Sequence, residues 1–401
     1  MAEQAERIRK LAALAVRTGA NVQPGQIVVI STEPGKEELA RAVAEQAYRA
    51  GAKFVEVRTF DPHLKRLRAL HADPDTLEYV PPWLGEQVLA LGEHRAARIS
   101  LYGVLDPGLM DGIDPERLGR DMLPRVKEST VLLNERTTNW NIIPAPTPGW
   151  ASLVYPELGP EAALEQLWRD VEHVCRLDEP DPAAAWQERL DRLVAVVGRL
   201  DALELDELHF SGPGTDLRVG LLPSGRWQAA RFATVDGIVH TPNLPTEEVF
   251  TSPDPARVEG HVRSTRPLLV NEVTVSDLEV RFAGGRAVQI DAGEGAETLR
   301  SMAARDEGAA RLGEVALVDR ESRIGQLGRV FSNTLLDENA ASHIALGAGF
   351  LAAGGDETDR GRINQSEIHV DFMIGSPEVD VSATTRDGRE IPLLRDGAWQ
   401  I

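Results

Sequence analysis

From residue 26 to about 144 the chain alternates β-branched runs with helical stretches, and beyond about Leu203 it changes to two-residue alternation around Gly-Gly and Asp-Gly turns. That change of period constrains the fold more than any other feature. Strands separated by helices are joined by crossovers, which give parallel pairing, whereas strands separated by tight turns pair antiparallel. QIVVIST (26–32), KFVEVRTF (53–60), ARISLYGV (97–104) and NWNIIPAP (139–146) read as the first kind of strand. Helical segments lie between them, such as PGKEELARAVAEQAYRAGA (34–52), with Pro near its start and Gly near its end. A helical connector covers 161–177 and 183–200, and segments 206–222, 266–293 and 379–401 then alternate apolar and polar residues. Two further helices are expected in this part, at 296–313 and 337–347. The expected architecture is an N-terminal open parallel sheet flanked by helices (1–165), followed by a mainly antiparallel β domain with helices (166–401).

Charge and cysteine content narrow the chemistry. The formal charge is −20, from 63 acidic and 43 basic residues. Nucleic acid and anionic membrane surfaces recruit basic patches, so neither is an expected partner. The single cysteine, Cys175, excludes an intramolecular disulfide and a cysteine-rich zinc site. Any metal must be held by His, Asp and Glu. No apolar run approaches a membrane span and the N-terminus carries no export signal, so the expected location is the cytoplasm.

The common catalytic signatures GxGxxG, GxxxxGK[ST], HExxH and GxSxG are missing. Ser211-Gly-Pro-Gly-Thr-Asp216 lacks a phosphate-binding Lys and reads as a tight turn between strands. The first strand-to-helix turn could receive an anion, but Glu33 in it repels one. Most of the nine His sit in solvated or ordinary structural contexts. His343 and His369 differ because carboxylates surround them at readable spacing.

In HVDFMIGS (369–376), His369 and Asp371 lie two residues apart on a strand and project from one face. Burying that pair needs a partner, and either a divalent cation or a mutual His–Asp hydrogen bond at an edge would serve. In FSNTLLDENAASHIALGAGF (331–350), Asp337 is expected to cap a helix over ENAASHIAL that ends at Gly347. Glu338 and His343 would then stand about 140° apart on that helix and not share a face. Glu314 in LGEVALVD (312–319) is a carboxylate on an apolar strand, on the face of Ala316 and Val318. In PNLPTEEVFTSP (242–253), an extended chain turns Glu247 and Glu248 to opposite faces, so only one can enter a site.

Taken in order, these four segments resemble the M29 family of metallo-aminopeptidases, the aminopeptidase T and aminopeptidase S group. RTTNWNIIPAPTPGWASLVYP (136–156) and SGPGTDLRVGL (211–221) are similar to family segments as well. The resemblance implies two divalent metal ions, zinc or cobalt with magnesium as an alternative, held by Glu248, Glu314, Glu338, His343, His369 and Asp371. It implies a peptide substrate with a free N-terminus and a homodimer, in whose contacts the seven Trp would serve. Glu247, next to the first ligand, is the candidate general base. One position departs from the family: a catalytic Tyr is replaced by Phe350, and the four Tyr of the chain are at 48, 79, 102 and 155. The alternative reading is therefore a metal-binding homologue with weakened or lost turnover. A nucleotide- or anion-binding role for the N-terminal domain is a further rival.

Overall fold

The computed structural model describes residues 2–121, 123–270 and 273–401. By internal contact the chain divides into two compact units. The first takes 1–113, 121–190 and 230–246, and the second takes 114–120, 191–229 and 247–401.

The first unit opens with α1 (Ala2–Leu14), followed by β1 (Ile27–Thr32), α2 (Glu37–Arg49) and β2 (Phe54–Thr59). Next come α3 (Pro62–His71), α4 (Pro82–Glu93) and β3 (Ala97–Tyr102). The short α5 (Pro115–Arg120) groups with the second unit, and α6 (Glu128–Glu135) and β4 (Trp140–Pro144) return to the first. The four strands form one parallel sheet in the order β2-β1-β3-β4, as the alternation of strand and helix requires. Val28, Ile30 and Ile99 are fully buried in it. Helix α2 turns Leu39, Ala40, Val43 and Ala47 inward, the one-sided stripe of an amphipathic helix. Helix α7 (Pro148–Val154) starts where Thr147 Oγ1 accepts the Trp150 N–H at 3.0 Å, with Pro148 in the first turn. The connectors are α8 (Pro160–Val174) and α9 (Pro182–Ala202).

Antiparallel pairing then takes over. Strands β5 (Leu205–Gly212) and β6 (Thr215–Leu221) form a hairpin around Gly214, whose φ of 73° suits glycine. After β7 (Gln228–Ala229), the small pair β8 (Phe232–Ala233) and β9 (Val239–His240) belongs to the first unit. There follow β10 (Glu248–Thr251), β11 (Pro253–Arg263), β12 (Leu268–Val270), β13 (Val273–Val275), β14 (Glu279–Ala283) and β15 (Arg286–Asp291). The last stretch carries α10 (Ala296–Ala303), β16 (Leu312–Val318), α11 (Arg323–Gln326), α12 (Thr334–Asp337), β17 (His343–Gly347), β18 (His369–Met373), β19 (Asp380–Thr385), β20 (Glu390–Arg395) and β21 (Ala398–Trp399). One sheet of eight strands runs β15-β14-β11-β6-β5-β19-β20-β21, and one of five runs β18-β17-β16-β10-β7. The five-stranded sheet is the more deeply buried: every residue of β16, β10 and β17 is buried.

Three sequence expectations fail here. The helix expected over 296–313 stops at Ala303, and Leu312 and Gly313 already belong to strand β16. ENAASHIAL is not a helix: α12 ends at Asp337, Glu338–Ala340 make a single 3-10 turn, and His343 begins strand β17. Ala and Leu are good helix formers, but propensity is worth only tenths of a kcal/mol per residue, about 0–0.7, and the backbone bonds offered by β16 on one side and β18 on the other outweigh it. Asp337 does not cap a helix start either. Its carboxylate accepts the N–H groups of Phe331 and Asn333 at 2.9 and 3.0 Å. The tryptophans, moreover, mostly fill cores: Trp150, Trp168, Trp186 and Trp227 are buried, and Trp83 is exposed.

Candidate metal centre

Register on the five-stranded sheet decides what meets what. Glu248 is opposite Val318, Ala316 is opposite His343, and Glu314, Ala345 and Asp371 lie in one row across β16, β17 and β18. Residues two apart share a face, so Glu248, Glu314, His343, His369 and Asp371 all project from the same side of the sheet. Four adjacent strands thus deliver five polar side chains into one layer, in which Glu248, Glu314 and His343 are buried and His369 and Asp371 are partly buried. Gly347 makes room at its edge, opposite His369. Its φ is 104°, and a Cβ there would stand 2.2 Å from the Ile368 carbonyl oxygen.

The side chains form two triads that share one carboxylate. Glu248, Glu314 and His343 can bring ligand atoms within 4.8 Å of one another, and so can Glu314, His369 and Asp371. His343 Nε2 is 3.0 Å from Glu248 Oε2, and His369 Nε2 is 3.1 Å from Glu314 Oε2 and 3.3 Å from Asp371 Oδ1. Glu338 approaches from its 3-10 turn, buried and in the field of His343 and of Asp371, Glu248 and Glu314. The helical separation expected between Glu338 and His343 therefore does not apply. Glu247 lies just before β10 and is fully buried, and its backbone N–H donates to Asn339 Oδ1 at 2.6 Å.

Both rings are oriented by their other nitrogen. His343 Nδ1 is 3.2 Å from the Ala341 oxygen and His369 Nδ1 is 2.8 Å from the Ala348 oxygen. A carbonyl only accepts, so Nδ1 carries hydrogen and Nε2 is left facing carboxylate oxygens. A neutral ring there would aim a lone pair at an anion. The contact becomes attractive only with a proton or a metal ion between them.

The titration directions say the same. Burial raises the pKa of Glu314; His369 opposes the rise, and the charges of Asp371 and Glu248 add to it. Burial also lifts Glu338 well above the ordinary range, with Asp371 and Glu248 reinforcing it and His343 opposing. His343 is pushed up to about 10: burial works against its charge, but Glu248, Asp371 and Glu314 prevail. His369 is raised well above its usual value, because Asp371 and Glu314 overcome its burial. Without a cation, this cluster holds protons it would not keep in water. Four carboxylates and two imidazoles presenting Nε2 are the oxygen and nitrogen donors that divalent ions take, so the donor set fits.

Phe350 borders the cluster. Its ring meets His369 edge-on at 5.4 Å between centroids and Phe250 at 5.2 Å, and its N–H donates to Ser252 Oγ at 2.9 Å. No hydroxyl stands at that position. Sequence reasoning passed over Asn339 and Ser252. Their only sequence signal is a small polar residue beside an acid or an aromatic, which is too common to single them out.

The fold and this cluster define a metallopeptidase built on an α/β unit and an antiparallel unit. A model of the thermophilic metalloprotease family, M29, matches residues 4–399, and the chain belongs to that family. Aminopeptidase T of Thermus aquaticus is 42% identical over 404 residues, covering 99% of each chain. Aminopeptidase PepS of Streptococcus thermophilus is 36% identical over 407 residues, covering 99% of this chain and 98% of the relative. The solved structure of wild-type AmpT from Thermus thermophilus superposes with a TM-score of 0.88 at 42% identity, covering 98% of this chain and 99% of that one. The chain is a metallo-aminopeptidase. Among the described residues no helix is long and apolar enough to cross a membrane.

Proposed function

We propose that this metallo-aminopeptidase removes single residues from the free N-terminus of peptides, using two divalent ions held by Glu248, Glu314, Glu338, His343, His369 and Asp371. All six lie within 166–401, the segment we assign as the catalytic domain. The observation that carries the number is the pair of triads sharing Glu314. Charge supports it too: four carboxylates at −1 each and two neutral imidazoles sum to −4, which two divalent cations neutralise. Zinc or cobalt suits the mixed nitrogen and oxygen donors better than magnesium, which prefers all-oxygen octahedra.

Ions bound there would polarise the scissile carbonyl and bring the pKa of a water toward neutrality. The chain's own groups do the rest. The Ala341 and Ala348 carbonyls fix the two imidazoles so that Nε2 faces inward. We assign the general base to Glu247. It precedes the strand, so the alternation that fixes Glu248 does not bind it, and it is buried beside that ligand. A homodimer is supported by apolar side chains left exposed on the first unit: Phe54 and Val57 on the sheet-edge strand β2, and Leu64 and Leu67 on α3. We place the enzyme in the cytoplasm, in keeping with its single, buried cysteine.

Release of amino acids from aminoacyl p-nitroanilides tests the reading. The zinc- or cobalt-loaded enzyme should hydrolyse them, and a chelator should stop it. Glu248→Gln and His343→Ala should each lose roughly 10³-fold in kcat/KM, the equivalent of several kcal/mol of transition-state stabilisation. Glu247→Gln should keep its metal and lose the acid limb of the pH–rate profile. Equal activity in Glu248→Gln and wild type would sink the ligand set.

A further inference from the structure

We propose that Asn339 is the positioning residue that registers the Glu248 strand against the Glu338 turn, setting the spacing of carboxylates on which metal affinity depends. The inference rests on the metal-site reading above and extends it to a residue outside the ligand set.

Asn339 is completely buried, and both ends of its amide are used. Oδ1 accepts the Glu247 N–H at 2.6 Å; Nδ2 donates to the Leu335 oxygen at 3.0 Å and lies 3.4 Å from Glu338 Oε1. The amide orientation follows from the chemistry of its partners. A backbone N–H can only donate and a carbonyl can only accept, so the oxygen must face Glu247 and the nitrogen must face Leu335. The Asn339 backbone is held as well, because Ser322 Oγ donates to its carbonyl oxygen at 2.6 Å and accepts from Gly325 N–H at 3.1 Å.

The consequence is a bridge over long sequence distance. Glu247 and Asn339 are 92 residues apart, and no strand pairing connects the turn Glu338–Ala340 to the start of β10. Glu248 and Glu338 each sit one residue from an end of this single bond. The sheet fixes Glu314, His343, His369 and Asp371 relative to Glu248, but Glu338 is outside the sheet. Asn339 supplies the tie that the ladder does not. The strong half of the tie is the acceptor, since the bond to Glu247 N–H is much shorter than the approach to Glu338.

Calorimetric titration of metal-stripped protein with zinc chloride, alongside the absorption spectrum of the cobalt-loaded form, tests this. Asn339→Ala should weaken zinc binding by about 10–100-fold, the range for partners that orient ligands, and should alter the cobalt spectrum. Asn139 is an equally buried asparagine in the first unit, bonded to the Ala20 carbonyl. Asn139→Ala should lower Tm and leave zinc affinity alone, which separates positioning from general stability. If Asn339→Ala does not fold, Asn339→Ser takes its place, because a serine hydroxyl is too short to reach Glu247 N–H. Wild-type zinc affinity and cobalt spectrum in the folded Ala or Ser variant overturn the proposal. Glu248→Gln distinguishes the two levels. If it too binds zinc normally, the metal site itself is misassigned; if it loses zinc while Asn339→Ala keeps it, only the role of Asn339 fails.

Discussion

His240 in the first unit and His343 in the second are both almost wholly buried, at 3% and 1% exposure, and their surroundings could hardly differ more. His240 packs against Phe232 and Trp140, each 6.2 Å away between centroids; its Nδ1 reaches the Ile238 oxygen only at 3.4 Å, and its Nε2 has no hydrogen-bond partner among the described residues. Burial brings its pKa down to about 4, and the weak bond to Ile238 does little to oppose that. His343 pays the same penalty for burial, but Glu248, Asp371 and Glu314 reverse it to about 10. Burial alone therefore makes a neutral core histidine. Burial among carboxylates makes a group that demands a cation.

The largest effect that can break this contrast is stability against pH in the metal-free protein. His240 has a folded pKa below its unfolded 6.5, so its contribution is complete above pH 6.5 and is lost as pH falls through about 4. His343 has a folded pKa above 6.5, so its contribution is complete below pH 6.5 and is lost as pH rises through about 10. Thermal unfolding from pH 4 to pH 10 should show both slopes. His240→Phe should remove acid loss on the order of 2–3 kcal/mol relative to wild type and leave the alkaline side and the activity unchanged. Saturating zinc should flatten the alkaline side, because the ion replaces the proton. An alkaline slope that zinc leaves untouched would mean the carboxylates around His343 do not hold metal.

A smaller effect sharpens the same contrast from the carboxylate side. Glu338 is driven toward its neutral form, by burial first and by Asp371 and Glu248 after it. Its raised pKa means that its favourable contribution fades as pH rises above the ordinary carboxylate range. Glu338→Gln should therefore stabilise the metal-free protein at pH 8 by about 1–2 kcal/mol while weakening zinc binding. A parallel fall in both quantities would show that Glu338 is held by ordinary packing and not strained by its neighbours.

How much of this was legible in the sequence depended on whether local or distant contacts decide. The parallel sheet was legible, since Ile27–Thr32 and Ala97–Tyr102 are short segments of strand-forming residues bounded by helices, and nothing distant overrides them. The single-face projection of His369 and Asp371 was readable from strand alternation. The strand at His343–Gly347 was not: its residues suit a helix, and only pairing with Glu314–Ala316 and with Val370–Met373 makes it extended. Glu338 was misread for the same reason, because its angle to His343 was measured along a helix that does not form. Asn339 was invisible, since its partner Glu247 is 92 residues away.

The smallest expected effect concerns the ring beside each histidine. Phe232 stands edge-on to His240 at 88° and Phe350 stands edge-on to His369 at 67°, so the two packings are alike although their chemical settings are not. If the aromatic neighbour only fills space, a hydroxyl added at either place changes nothing but stability. Phe350 is half-buried at the margin of the cluster, its backbone tied to Ser252 and its ring 5.4 Å from that of His369, so a hydroxyl on it is added beside the cluster. A donor aimed at a developing oxyanion is worth about 10²–10³-fold where the site has evolved around it. In a site already active without it, the gain should be smaller. Phe350→Tyr should raise kcat on aminoacyl p-nitroanilides by no more than about tenfold, with KM nearly unchanged, because the interaction forms only in the transition state. Phe232→Tyr should leave both constants alone. A Phe350→Tyr variant that changes KM but not kcat would place the ring in substrate binding instead of chemistry.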